Sequence, residues 1–253
     1  MKAAAALVAE PGGGTITLPV LRSQAPLALR RTPDAVYLVG GAAGPIGGDT
    51  LELRIEVRNG AALRVRTAAA AVALPGRDGQ ESVLRITATV GSGARLEFLP
   101  EPTVVAEGAR HLLDMRITLA RGAALVLREE VILGRHGERG GRCRTRLRAD
   151  YAGAPLLRNE LDLGVGQASH GPAVLAGHRA AGSLLHVEPA WPAPPAACYA
   201  PGVAVMPLAG PVPAALITAL APDARTLRRL LGDASAVSQP ADFGLIRRTG
   251  RTG

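Results

Sequence analysis

The chain has 253 residues, 47% hydrophobic and 20% charged, with a net charge of +8, 2% aromatics and two cysteines. A chain of that length can bury roughly 70% or more of its unfolded surface as one large β domain or two small ones, so Cys143 and Cys198, far apart and in no paired motif, are expected as free thiols in a reducing cytoplasm. The basic balance does not indicate nucleic acid: Arg54 and Arg58, Arg64 and Arg66, and Arg144, Arg146 and Arg148 alternate with apolar residues as a solvated sheet face does, and so few aromatics leave no stacking platform for single strands.

In chain order, the opening MKAAAALVAEPGGG carries one Lys and an apolar run cut off by Glu10, too weak for a secretory signal. Residues 15–31 alternate around Pro19 and Pro26 and predict one or two edge strands. AVYLV at 35–39 predicts a short buried strand that runs into GGAAGPIGGD at 40–49. A phosphate-cradling loop would need a following Lys and Ser/Thr and a helix N-terminus; here a strand comes next, so the segment reads as a wide loop delivering Asp49 to a strand end.

Three later segments superpose when Gly60, Gly93 and Gly122 are aligned: LELRIEVRNGAALRV, LRITATVGSGARLEF and LDMRITLARGAALVL. Each copy has Leu nine residues before the glycine (Leu51, Leu84, Leu113), Val or Leu three before (Val57, Val90, Leu119) and Leu three after (Leu63, Leu96, Leu125), with periods of 33 and 29 residues. Each reads as a hairpin of strand, tight Gly-Ala turn and strand, the glycine supplying positive φ. A unit that cannot bury its own apolar face must stack on its neighbours. The expected fold class is therefore mainly β, with layered or stacked sheets built from repeated hairpins and one or a few short helices near the C-terminus. In the first unit, Thr50 to Thr67, Leu51, Leu53, Ile55 and Val57 share one face and Glu52, Arg54, Glu56 and Arg58 the other.

Residues 68–76 are small and apolar, 77–80 predict a polar turn and 137–141 a flexible loop. From 149 to 187 the pattern weakens into short strands such as LLRNELDL and PAVLAGH, so the single domain over 1–253 has its weakest internal boundary near 149–190. Residues 191–195 are a Pro-rich connector. The uncharged window 203–222 contains Pro207, Pro211 and Pro213, which exclude a spanning helix and predict buried strands and turns. APDARTLRRLLGD predicts a helix with Asp223 as N-cap, Leu227, Leu230 and Leu231 on one face and Gly232 as the stop. The tail 247–253 is expected to be mobile.

Nucleophilic catalysis finds no motif: no Ser sits in a G-x-S-x-G elbow, and the five histidines make no H-x-x-x-H pair. His170, His178 and His186 lie eight apart, but Gly171, Pro172, Gly177 and Gly182 break any single strand, so they read as loop or core histidines rather than ligands. The carboxylates Asp49, Glu101, Glu129 and Glu130 fall at strand ends, with Glu101 held between Pro100 and Pro102. Strand-end acids are ordinarily solvated or paired with arginines. The functional alternative is that several point inward along a water-filled path and bind a divalent cation loosely enough to pass it on. Adjacent Glu129 and Glu130 must face opposite ways, which argues against a paired-carboxylate hydrolase. A stand-alone β-sandwich or solenoid module binding protein or carbohydrate is the other reading, weakened by the shortage of aromatic platforms.

The segments APLALRR (25–31), GGAAGPIGGD (40–49), GAALRVRT (60–67), GARLEFLPEPTVVAEGA (93–109), GAALVLREEVILGRHGE (122–138), GRCRTRLR (141–148) and LITALAPDARTLRRLL (216–231) together resemble, in order, the UreD (UreH) family of urease accessory proteins. The resemblance implies a non-enzymatic β scaffold that binds UreF, recruits the GTPase UreG through it, docks on apo-urease and lets nickel(II) pass transiently through an internal tunnel, with no tightly bound cofactor. It makes Asp49 and Glu129 matches to family acids and Thr67 a match to the Thr ending the first unit; Glu101 and Glu130 join them from the strand-end argument alone. After Thr67 the segment AAAAVALPGRDG departs from the family pattern.

Overall fold

The computed structural model describes residues 1–13, 15–164 and 171–237. Its strands are β1 (Lys2–Gly12), β2 (Thr15–Arg22), β3 (Leu27–Arg31), β4 (Val36–Gly40), β5 (Thr50–Val57), β6 (Ala62–Thr67), β7 (Ala71–Ala73), β8 (Glu81–Val90) and β9 (Arg95–Leu99). They continue with β10 (Thr103–Val105), β11 (Arg110–Leu119), β12 (Ala124–Leu133), β13 (Arg142–Tyr151), β14 (Ala154–Leu163), β15 (Ala180–Val187), β16 (Cys198–Ala200), β17 (Val203–Pro207) and β18 (Ala214–Ala221), and helix α1 (Ala224–Val237) follows. A seven-stranded sheet in the order β14-β13-β11-β8-β5-β1-β2 faces an eleven-stranded sheet whose main path is β16-β17-β18-β15-β12-β9-β6-β4-β3, with β10 and β7 pairing beside β12. Side chains of both sheets, among them Leu53, Met115 and Leu147 from the first and Phe98, Leu127 and Leu185 from the second, fill one continuous core.

The repeats are real, and their register is the one the glycines predict. Leu51 pairs with Leu84 and Leu84 with Leu113; Val57 pairs with Val90 and Val90 with Leu119. On the opposite sheet Leu63 pairs with Leu96 and Leu96 with Leu125. Gly60, Gly93 and Gly122 all hold positive φ, between 63° and 75°, and in each turn the residue after the glycine donates to the carbonyl three before it. The units differ from hairpins in one respect. The two strands of a unit do not pair with each other: β5, β8 and β11 run parallel in the first sheet while β6, β9 and β12 run parallel in the second. Each turn is thus an arch between layers, and each strand's backbone groups are satisfied by the next copy, the condition for a stacked, solenoid-like body.

Other elements refine the reading. The opening residues form β1, with Ala3, Ala5, Leu7 and Ala9 buried, in parallel pairing with β5. β2 and β3 are edge strands of the two sheets, as the prolines suggest. PAVLAGH is not a strand: Pro172 to Gly177 make turns, with positive φ at Ala176 and Gly177, and only Leu175 is driven into the core. LLRNELDL does form a strand, within β14, and the next strand is β15. The uncharged window supplies β17 and β18. Asp223 caps α1, its Oδ1 accepting the Thr226 N–H at 2.8 Å, and Leu227 and Leu231 are buried against β15 and β18, each worth about 2 kcal/mol of apolar burial. Gly232 does not stop the helix, which runs to Val237. An interior glycine costs roughly 1 kcal/mol, and the turn beyond it still packs Ala234 on the same cluster. The segment 247–253 lies outside the described residues.

Candidate functional site

Glu129 and Glu130 lie in the middle of β12 rather than at a strand end as expected, because the strand continues to Leu133, and its alternation separates them. Glu129 has the parity of Leu127 and Val131, which are core residues between the sheets, and it pairs in register with the buried Ser183 of β15. Across the gap, the buried Thr145 of β13 faces it. Burial pushes the Glu129 carboxyl up to about 7, against the Thr145 contact that favours the charged form, and Oε1 has no partner. Glu130 points to the opposite face, beneath α1, where Arg228 Nη2 donates to its Oε2 at 2.6 Å and Arg128 Nε lies 3.6 Å away. Arg228 Nη1 also donates to both oxygens of Glu101 at 2.9 Å, and the Glu101 N–H donates to Thr67 Oγ1 at 2.7 Å. Glu101, Glu130 and Thr67 therefore form one cluster that tethers the helix, beside a cleft of about 790 Å³ lined by Glu101, Pro102 and Arg228.

Asp49 ends the glycine-rich loop, as expected, and is buried at the start of β5. Its Oδ1 accepts from the Met1 α-amino group at 2.7 Å and its Oδ2 from the Ile46 N–H at 2.9 Å. Burial opposes ionisation there, but those two donors prevail and hold the carboxyl below its ordinary range. Of the four predicted acids Glu129 is thus the one without a cationic partner: Asp49 pairs with the Met1 α-amino group, and Glu101 and Glu130 pair with Arg228.

A scan against family descriptions matches the UreD urease accessory protein family over residues 1–251. The chain is 49% identical to "Urease accessory protein UreD 3" of Streptomyces griseus over 247 residues, covering 92% of this chain and 95% of that protein. It is 48% identical to "Urease accessory protein UreD" of Streptomyces coelicolor, with 88% and 91% covered, and 47% identical to the protein of that name from a Parafrankia species, with 94% and 89% covered. The chain belongs to the UreD family.

Beyond the acids, this UreD family member buries two polar side chains that sequence reasoning did not single out as site residues. Ser82 of β8 and His111 of β11 are register partners on the inner face of the first sheet, with Ser82 Oγ 2.9 Å from His111 Nδ1. Desolvation holds the His111 imidazole neutral, down to about 4, and its Nε2 has no partner. The missed signal was positional: Ser82 and His111 stand eleven residues before Gly93 and Gly122, as Asp49 stands eleven before Gly60. His186 is buried against Trp191, ring centroids 4.4 Å apart, and His178 lies by the turn before β15, so both are core or loop histidines; His170 lies outside the described residues. Among the described residues no three His, Cys, Asp or Glu side chains converge as a resident metal site. Both cysteines are free, Cys143 buried and Cys198 exposed. No helix among the described residues is long and apolar enough to cross a membrane.

Proposed function

We propose that this chain is a non-catalytic urease maturation factor of the cytoplasm: it binds UreF, and through UreF the GTPase UreG, docks on apo-urease, and passes nickel(II) inward along acids held between its two sheets. Family membership supports the urease role, and Glu129 carries the cation half. A fully buried carboxyl with a bare oxygen and no neighbouring guanidinium is an oxygen donor already stripped of water. With its proton held near 7, it can exchange that proton for a divalent ion, since a carboxylate must deprotonate to bind metal. Oxygen donors grip nickel(II) more loosely than thiolate or imidazole do, which suits onward transfer. Asp49 is the second acid of the path; Glu101 joins it only where Arg228 lets go.

Co-production with urease subunits, UreF and UreG tests the reading. Capture of a UreF and urease complex is expected, and its absence in cells that make active urease would refute the scaffold role. Asp49→Ala with Glu129→Ala should lower urease activity and urease nickel content while the complex still assembles; normal nickel loading in that double variant would remove the path acids from the account.

A further inference from the structure

Resting on the scaffold half of that reading, we infer that the cleft beside α1 is a docking groove for an acidic segment of a partner protein, one whose carboxylates alternate with apolar residues. The cleft, of about 790 Å³, has an apolar floor made by Val72 of β7, Pro102, Val104 of β10 and Ile132 of β12. Its rim is cationic. Arg225, Arg228 and Arg229 come from the first turns of α1, and Arg135, His136 and Arg179 from the turn after β12 and the residue before β15. The two carboxylates that line the same cleft, Glu101 and Asp223, are both engaged. Glu101 is held by Arg228, and Asp223 accepts from the Thr226 N–H and hydroxyl as the cap of α1.

The rest of the rim keeps its charge for a visitor. Arg179 donates to the carbonyls of Leu133 and Arg135 at 2.9 and 2.8 Å, neutral acceptors that leave its positive charge uncancelled. Arg229 meets Asp233 only at 3.9 Å, with both side chains well exposed, and Arg225 is exposed. The rim is also set in advance: Arg179 pins the backbone of the turn after β12, and Glu138 accepts from the Arg135 N–H and Nε at 2.9 and 2.7 Å. Groups already ordered cost less to bind. An apolar centre inside a polar rim is the anatomy of a protein interface, and the sign of the rim selects an acidic partner. A bare phosphate would make no use of the apolar floor, and a nucleic-acid strand would find no aromatic platform in the lining.

The test co-produces the full-length chain with urease subunits, UreF and UreG and measures capture of each at about 0.05 M and about 0.5 M salt, with circular dichroism checking the fold. Arg225→Glu with Arg229→Glu should lower capture of one partner about 10-fold at the lower salt and less at the higher, since rim charges act through a screened field. Val72→Ser should weaken the same partner equally at both salts, because the floor contact is apolar. Two reversals placed elsewhere on the exposed surface, Arg54→Glu with Arg121→Glu, should leave capture unchanged. Equal loss in that control, or full capture by the rim variant, would overturn the groove and spare the proposed function; a wild-type chain that captures no partner would overturn both. A peptide of alternating Glu and Leu should displace the captured partner, and inorganic phosphate at equal ionic strength should not. Displacement by phosphate would make the cleft a small-anion site and refute the inference. Should the rim reversal fail to fold, Arg225→Gln with Arg229→Gln substitutes: a smaller loss with the same salt dependence supports the groove, and unchanged capture refutes it.

Discussion

Glu129→Gln should make the metal-free protein more stable at neutral pH, and the gain should depend on pH in a specified direction. The carboxyl lies at about 7 in the fold against an ordinary value of 4.5. The unfolded chain therefore ionises this group first, and the folded state is progressively disfavoured as pH rises from about 4.5 to about 7; the loss is complete above that and absent below 4.5. At 1.36 kcal/mol per pKa unit the full penalty is about 3 kcal/mol. Glutamine keeps the shape of the protonated acid and cannot ionise, so it escapes the penalty. In a chain of this size 1 kcal/mol moves Tm by roughly 2–4 °C. Thermal melts of both proteins in chelator at pH 4.5, 6 and 8 should show the variant gaining about 6–12 °C relative to wild type between the lowest and highest pH. Parallel Tm curves across that range would mean that Glu129 is solvated or paired in solution, and the argument for a stripped oxygen donor would fail with it.

Removing Arg228 acts in the opposite sense. Arg228→Met leaves the fully buried Glu130 side chain with only Arg128 3.6 Å away. Because Arg228 is 38% exposed, the cost falls below the 3–5 kcal/mol of a fully buried pair, at about 2 kcal/mol, and Glu130→Gln in the same chain should restore part of it in urea melts. Asp223→Ala should cost about 1 kcal/mol, read as faster amide exchange confined to the first turn of α1. Of two glycines in one turn, Gly93→Ala faces only its positive φ and open space, costing about 1–2 kcal/mol. Gly91→Ala would put a methyl 2.4 Å from Asn59 Oδ1 and 2.7 Å from its backbone nitrogen and should lower Tm further. A thiol reagent should label Cys198 in the native protein and reach Cys143 only on unfolding, because Cys143 is buried and burial raises its pKa.

The glycine spacing was legible because it is the register: a turn that needs positive φ fixes where every flanking leucine falls, so aligning Gly60, Gly93 and Gly122 aligned three strands in each sheet. Whether a unit closes on itself or arches between layers was not legible. Inward and outward residues alternate identically in both cases, and the choice is made by pairing with a copy about thirty residues away. β1 was hidden for a related reason: its buried positions are mostly alanines, whose weak apolar signal becomes a strand only beside β5. Alternation also showed that Glu129 and Glu130 must part, but which of them met α1 and Arg228 depended on how the helix returned to the second sheet.

The surface shows what this fold does with acids it intends to neutralise. Across the outer face of the first sheet Glu52, Arg85, Asp114, Arg146 and Glu160 are successive register partners on five strands, alternating in sign and joined by ion pairs such as Arg85–Asp114 and Arg146–Glu160. Under α1 the same economy gives Arg228 to both Glu101 and Glu130. With 29 Lys and Arg residues against 21 acids, cations are not scarce. Yet the buried carboxyl of Glu129 is left facing a threonine, at a standing cost that a glutamine would remove. Stability does not account for that choice. A carboxyl left without a cationic partner in a chain so rich in arginine is understandable if its partner is an ion that arrives and leaves.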